Sequence, residues 1–262
     1  MWTILRFTCP ASRAFLLSTA FIASFSAWGQ ATPGSAANSA LGQLATAFAG
    51  GQIVHQVQLS GNAIWYAGAL EDSGSVTLTA SADGSYQMQL GLAATGQRTE
   101  SQAGSGSSAD CQWVGADGVA HETSTANCWR PMVWFMPAIS LQPSRLSGSF
   151  AFTDLGNTTV GSDPNVYRDV RGCAAFSNLS PRVAAVVANQ SMMDIGLDLQ
   201  SSLPSVIAYA ETPDSGPATA INVEIHYSDY RAVNGVQIPF QIQRFVNGSL
   251  QLQINVSTVQ VG

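Results

Sequence analysis

Three histidines, His55, His121 and His226, and two close carboxylate pairs, Asp163 with Asp169 and Asp194 with Asp198, are the groups in this chain that could support acid–base or metal chemistry. None is spaced for it. His121 precedes Glu122, but no second histidine follows at the position that a zinc-binding His-Glu-x-x-His helix needs. His226 falls on the polar side of an alternating run and reads as a solvated surface residue. His55 begins a strand and reads as a partly covered edge residue. Both carboxylate pairs lie among turn-forming or exposed positions, which suits a structural role better than a general acid facing a general base. Asp117-Gly118 reads as a turn with too few carboxylates nearby for calcium.

The chain contains no lysine. A Walker-type phosphate loop, a Schiff-base amine and a serine–lysine dyad are excluded with it. No Gly-x-Ser-x-Gly elbow occurs either. No catalytic residue, metal or cofactor is therefore expected, and the chain reads as non-enzymatic.

Arg6 and Arg13 precede an uncharged apolar run, Ala14 to Ala27, followed by small residues. This predicts a secretory signal peptide over residues 1–29, leaving 30–262 as one exported domain. The run is shorter than the roughly 18 to 20 residues that span a bilayer, and no later stretch is long enough to do so. Cys9 precedes the run, so it is not a lipid-attachment site. In an oxidising compartment the remaining cysteines are expected to pair. Cys111 and Cys128 are nearest in sequence, and joining them would stabilise the loop by roughly 3 kcal/mol. Cys173 is then left as a buried free thiol or an intermolecular link. Ten basic residues against 16 acidic ones give a net charge of −6, more negative once Arg6 and Arg13 leave, so neither nucleic acid nor an anionic membrane surface is an expected partner.

The elements that would position any site are mostly strands. From Asn222 to Val261 apolar and polar residues alternate in three runs broken by Asn234-Gly235 and Asn247-Gly248, the pair that takes the positive φ angles of a tight hairpin turn. Val259 and Val261 fall one residue out of phase with Leu250, Leu252, Ile254 and Val256, which predicts a bulge near Ser257 or Thr258. Earlier runs start at Val57, Val76 and Tyr86, the last two joined by Asp83-Gly84, and a fourth strand is expected near Arg98. Residues 103–109 are Gly, Ser and Ala only and read as a flexible surface loop. Leu41, Leu44, Ala45 and Phe48 recur at helical spacing over residues 36–49, stopped by Gly50-Gly51. Ser180 before Pro181 caps a second helix to about Asn189, marked by Val183, Val186 and Val187. The apolar cluster Trp129 to Met136, cut by Pro131 and Pro137, reads as a short helix or buried turn. Ile195, Leu197 and Leu199 return to strand period, and Val206 to Glu211 form another strand.

The amphipathic helix, the strands with an Asp-Gly hairpin, Asp198-Leu199 with Leu203-Pro204 downstream, and the stretch Tyr227-Ser228-Asp229-Tyr230-Arg231 leading to Asn234-Gly235-Val236 and Ile238-Pro239 together resemble the LolA/LolB-like superfamily of periplasmic lipoprotein carriers. That resemblance covers most of residues 30–262. It implies an incomplete antiparallel barrel closed by helices around an apolar, acyl-binding cavity. The few cations, the Gly/Ser segment and the three later cysteines depart from what a dedicated lipoprotein carrier would show.

Pattern and resemblance together predict an α+β fold with a curved antiparallel sheet, an open half-barrel, covered by two or more helices. The expected function is to bind or carry a hydrophobic, lipid or acyl-chain ligand in the periplasm or after secretion. The different-class alternative is a structural or protein-interaction module of the cell envelope with a filled core. Residues on the apolar strand faces would line the ligand: Val57, Leu59, Trp65, Val76, Leu78, Met88, Leu90, Ile225, Tyr227, Ile238, Phe240, Ile242, Leu252 and Ile254. Arg244 follows Ile238, Phe240 and Ile242 in phase, so its stem starts on that face. Its guanidinium would meet a ligand headgroup at the rim or snorkel to water.

Overall fold

Alternation of apolar and polar side chains builds most of this molecule, shown here as a computed structural model describing residues 33–104, 106–130, 132–141, 150–213 and 220–262. The leader expected at residues 1–29 lies outside the described residues. Helix α1 (Pro33–Ala49) comes first, then strands β1 (Gln56–Ala67), β2 (Leu70–Ser81), β3 (Tyr86–Leu92), β4 (Gly96–Ala103), β5 (Asp110–Val114) and β6 (Ala120–Glu122). Two four-residue helices follow, α2 (Thr125–Cys128) and α3 (Pro137–Ser140). Strands β7 (Phe150–Thr158) and β8 (Tyr167–Ala174) precede helix α4 (Pro181–Gln190). The chain then continues through β9 (Met193–Leu197), β10 (Pro204–Glu211), β11 (Ile221–Val233), β12 (Val236–Val246) and β13 (Ser249–Val261).

These 13 strands form one open sheet in the order β6-β5-β4-β3-β2-β1-β13-β12-β11-β10-β9-β8-β7, its neighbours antiparallel throughout. Asn234 and Gly235 have φ of 52° and 83°, and Asn247 and Gly248 have 49° and 78°, so both Asn-Gly turns take the left-handed conformation their residues favour. The out-of-phase step in β13 is a bulge. Ser60 pairs with Thr258 and Gly61 with Val256, leaving Ser257 unpaired between them.

Helix α1 begins at Pro33, ends as expected before Gly50, and buries Leu41, Leu44 and Phe48 against β7 and β12. The Ser180 hydroxyl accepts from the Val183 amide at 3.4 Å and caps α4. The apolar stripe of α4 is narrower than expected: Val187 is buried, but Val183 and Val186 are exposed, because the helix meets β8 and α2 along a limited strip. Leu199 is not part of a strand. It is exposed in a turn that Asp198 stabilises by accepting from the amides of Gln200 and Ser201. Residues Gly106–Ser108, within the Gly/Ser segment, form a 3-10 turn. Strands β5 to β8 were not legible as strands. β5 and β6 are short, and β8 carries Arg168, Asp169 and Arg171 among its apolar residues, which hides the two-residue period.

The main core runs under the sheet, with a smaller cluster of Val160, Tyr167 and Val206 apart from it. It joins α1 to the inward residues of β1, β2, β3 and β8 to β13, and to Met132, Val133, Trp134, Phe135, Met136, Ile139 and Leu141. Cys111 of β5 and Cys128 of α2 are disulfide-bonded, with Cα atoms 5.9 Å apart, as expected. Cys173 is not a free thiol either, so the expectation that it stays unpaired is corrected; an oxidised cysteine in reach of another pairs.

Candidate functional site

Strands β4 and β10 have six other strands between them in the sheet order, which would put them more than about 30 Å apart in a flat sheet. Yet Glu100 of β4 and Tyr209 of β10 line the same cavity, of about 190 Å³. The sheet therefore curls until its two arms face each other, and the segment from Thr123 to Leu141 crosses the gap. The disulfide ties that segment to β5. On the opposite arm, Asn127 Nδ2 donates to the Thr212 carbonyl and the Thr212 amide donates back to Asn127 Oδ1, each at 2.9 Å. Farther along, the Tyr227 hydroxyl donates to the Trp134 carbonyl, and Phe135 packs edge-on to Tyr86 at 5.6 Å.

The register explains why the cavity wall is polar while the core beside it is not. Directly paired residues share a face. Arg98 pairs with Leu90, Glu100 with Met88 and Trp113 with Glu100, so these three point to the same side as the apolar core. On the other arm Glu211 pairs with Ile221, Tyr209 with Val223, and Arg244 with Ile225. The inner face thus changes from aliphatic to charged and aromatic toward the cavity.

Its charges are tightly arranged. Glu100 Oε1 accepts from the Tyr86 hydroxyl at 2.9 Å and from Trp134 Nε1 at 3.2 Å. Arg244 Nη2 donates to Glu211 Oε1 at 2.8 Å, and its guanidinium lies 5.8 Å from the Trp134 ring. Arg98 sits 4.6 Å over Trp113 and 5.5 Å from the Trp65 ring, and Trp113 in turn stacks on His121. Arg130, only 7% exposed, lies 4.3 Å over Tyr209 and donates to the carbonyls of Asn127 and Ala210. Burial lowers its pKa from the usual arginine value. Burial would also lower Arg244, but Glu211, Tyr209, Glu100 and Tyr86 together outweigh it and the value is raised. Burial, then the charge of Glu100, pushes the Tyr86 phenol well up; burial and then Glu211 do the same to Tyr209.

Of the residues expected to line a ligand, Val57, Leu59, Val76, Leu78, Met88, Leu90, Ile225, Tyr227, Ile238, Ile242, Leu252 and Ile254 are buried in the core. Trp65 and Phe240 are half-buried at its margin, and none of these residues reaches the cavity wall. The space in front of the sheet's inner face is taken by α1 and by residues 132–141. Arg244 is on the wall, paired with Glu211, and so does not snorkel to water; its side chain is 13% exposed. Sequence reasoning missed Arg98, Glu100, Arg130, Trp134, Tyr209 and Glu211. A charged residue in phase with an apolar strand face, or inside the Trp129 to Met136 cluster, was the signal that could have found them.

The groups first considered for chemistry are dispersed. His226 is less solvated than expected: its Nδ1 lies 3.5 Å from Asp163 and its Nε2 3.4 Å from Glu224, because the loop carrying Asp163 folds back over β11. Asp169 is buried, not exposed, since β8 is an interior strand; the nearby Arg171 pairs bidentately with Asp194. Desolvation, then the charge of Asp194, raises Asp169 to about 7. Asp198 serves its turn. Among the described residues no group of three or more His, Cys, Asp or Glu side chains is placed to hold a metal ion, and no helix is long and apolar enough to cross a membrane.

No protein-family profile matches the chain, and no curated protein matches it by sequence. Solved structures do match its fold. A LolA superfamily protein from Nitrosomonas europaea is 11% identical with a TM-score of 0.52, over 86% of this chain and 93% of that one. A DUF1329 family protein from Desulfovibrio piger is 10% identical with a TM-score of 0.54, over 88% and 94%. A domain from Vibrio parahaemolyticus named for outer membrane lipoprotein sorting is 8% identical with a TM-score of 0.53, over 87% and 93%. The fold that the sequence resembled is the fold this chain has.

Proposed function

We propose that this protein is an exported, non-enzymatic binder of a hydrophobic, lipidic ligand, acting in the periplasm or after secretion, with an open half-barrel as its frame. The observation that carries the reading is the nature of the cover. A wide apolar face is closed beside α1 by residues 132–141, of which only the four-residue α3 is regular. Such a segment is held over the face mainly by the burial of its apolar side chains and not by a ladder of backbone hydrogen bonds, so an acyl chain that takes its place can restore much of what its displacement costs. Its displacement would expose Leu78, Met88, Leu90 and Tyr227, and an acyl chain is the chemistry that fits an apolar face of this kind. The likeness to LolA-superfamily structures supports the same reading.

The second reading, a structural or protein-interaction module of the envelope, is favoured by one observation: twelve of the fourteen expected lining residues are buried among one another in the core and none reaches the cavity wall. Native mass spectrometry of protein purified gently from its own compartment separates the two. Co-purifying lipid, lost on delipidation and regained on adding decanoate, is the outcome expected of a binder. Protein that is empty as isolated and takes up no decanoate would establish the module.

A further inference from the structure

The cavity between the arms carries three arginines, Arg98, Arg130 and Arg244, against two carboxylates, Glu100 and Glu211, in a chain whose net charge is −6. Both carboxylates are engaged, Glu100 by Tyr86 and Trp134, Glu211 by Arg244. Arg130 is more than nine-tenths buried and makes no ion pair among the described residues; its hydrogen bonds go to two backbone carbonyls. The Nε atoms of Arg130 and Arg244 are buried and have no hydrogen-bond partner among the described residues. A buried guanidinium with a vacant donor carries a desolvation cost that an anionic acceptor relieves. Three guanidinium groups against two carboxylates leave the wall with an excess of positive charge, which an anion relieves and a cation does not.

We propose that this cavity is the receptor for one anionic oxygen group, a carboxylate or a phosphate, presented by the ligand. The inference rests on the lipid-binding reading for the source of that group. Two planar forks suit both acceptors, and the rings of Trp113, Trp134 and Tyr209 keep the site dry enough for the charge to count. About 190 Å³ holds roughly six waters' worth of matter, enough for a headgroup and too little for a long chain. Met132 and Trp134 belong both to the cavity wall and to the apolar cover, so a headgroup seated on the arginines would place its chain where residues 132–141 now pack.

Calorimetric titration of the delipidated full chain with decanoate, decyl phosphate, decanol and inorganic phosphate tests this. The charged amphiphiles are expected to bind at least about tenfold more tightly than decanol, a difference lost in Arg130→Gln and in Arg244→Gln and kept in Arg182→Gln, which removes the same charge from the exposed start of α4. If Arg130→Gln does not fold, Arg130→Lys, which keeps the charge but lacks the fork, should show the reduced preference; an unchanged preference there overturns the receptor. Decanol binding as tightly as decanoate would overturn the receptor and leave the lipid reading standing. Inorganic phosphate binding that depends on Arg130, with no gain from any decyl chain, would support the receptor and remove the lipid reading. No binding by any of the four probes would overturn both.

Discussion

Asn127 and Thr212 exchange two hydrogen bonds across 85 residues of sequence, side-chain amide to carbonyl and backbone amide to side-chain oxygen, each at 2.9 Å. A strand edge could make the same pair of bonds, so the Asn127 side chain acts as a one-residue extension of β10. Because Cys128 beside it is bonded to Cys111, two adjacent residues of α2 hold opposite arms of the sheet.

Asn127→Ala removes both bonds and leaves the Thr212 amide without its partner. The expected loss is about 1–3 kcal/mol in urea unfolding. Amide exchange should quicken in residues 123–141 and stay unchanged in β11 to β13. Equal acceleration in both regions would show that Asn127 does not act locally on the crossing segment.

The disulfide closes a loop with a sequence separation of 17, and opening it frees the other end of the crossing segment. Cys111→Ser with Cys128→Ser should lower stability by about 3 kcal/mol. Trp134, which donates to Glu100 and packs on Phe135, should then emit at longer wavelength as water reaches the cavity. An unshifted emission spectrum with lowered stability would place the whole effect in the unfolded chain.

The hairpins were legible because their information is local: Asn234-Gly235, Asn247-Gly248 and the phase slip near Ser257 each follow from neighbouring residues. The inward face of Arg244 was legible on the same grounds, from its phase with Ile238, Phe240 and Ile242. The meeting of Arg244 and Glu211 with Glu100 and Arg98 was not, because it depends on how far a sheet of this width curls, a sum of small twists and bulges over the intervening strands. Arg130 was hidden for another reason. It lies in an irregular segment where no period says which way a side chain points, and the Ala210 carbonyl and Tyr209 ring across the gap, with the nearby Asn127 carbonyl, fix it.

Gly61 sits where β13 bulges, and a Cβ there would overlap the carbonyl oxygen of Asn255 on the neighbouring strand. Gly61→Ala should cost about 1–3 kcal/mol by overpacking. Gly42, on the outer side of α1 with open space around its Cβ position, should behave oppositely, Gly42→Ala gaining up to about 1 kcal/mol from helix propensity. Chemical denaturation of the two variants side by side checks the signs; a neutral Gly61→Ala would mean that the strands separate there at little cost.

Asp169 makes stability depend on pH. Desolvation and the charge of Asp194 raise its carboxyl from 3.8 to about 7, and its Oδ1 is buried with no hydrogen-bond partner among the described residues. The folded value lies above the unfolded one, so between pH 3.8 and about 7 the folded state holds a proton that the unfolded state has released. Stability contributed by this group therefore falls as pH rises through that window and levels off above it, where both states are ionised. Asp169→Asn removes the titration. Urea midpoints taken from pH 4 to pH 8 are expected to decline less for the variant than for the parent, with the gap widening up to about pH 7 and constant beyond it. Parallel curves would show that Asp169 titrates alike in the folded and unfolded chain, and the steep part of the parent's profile would then belong to another group.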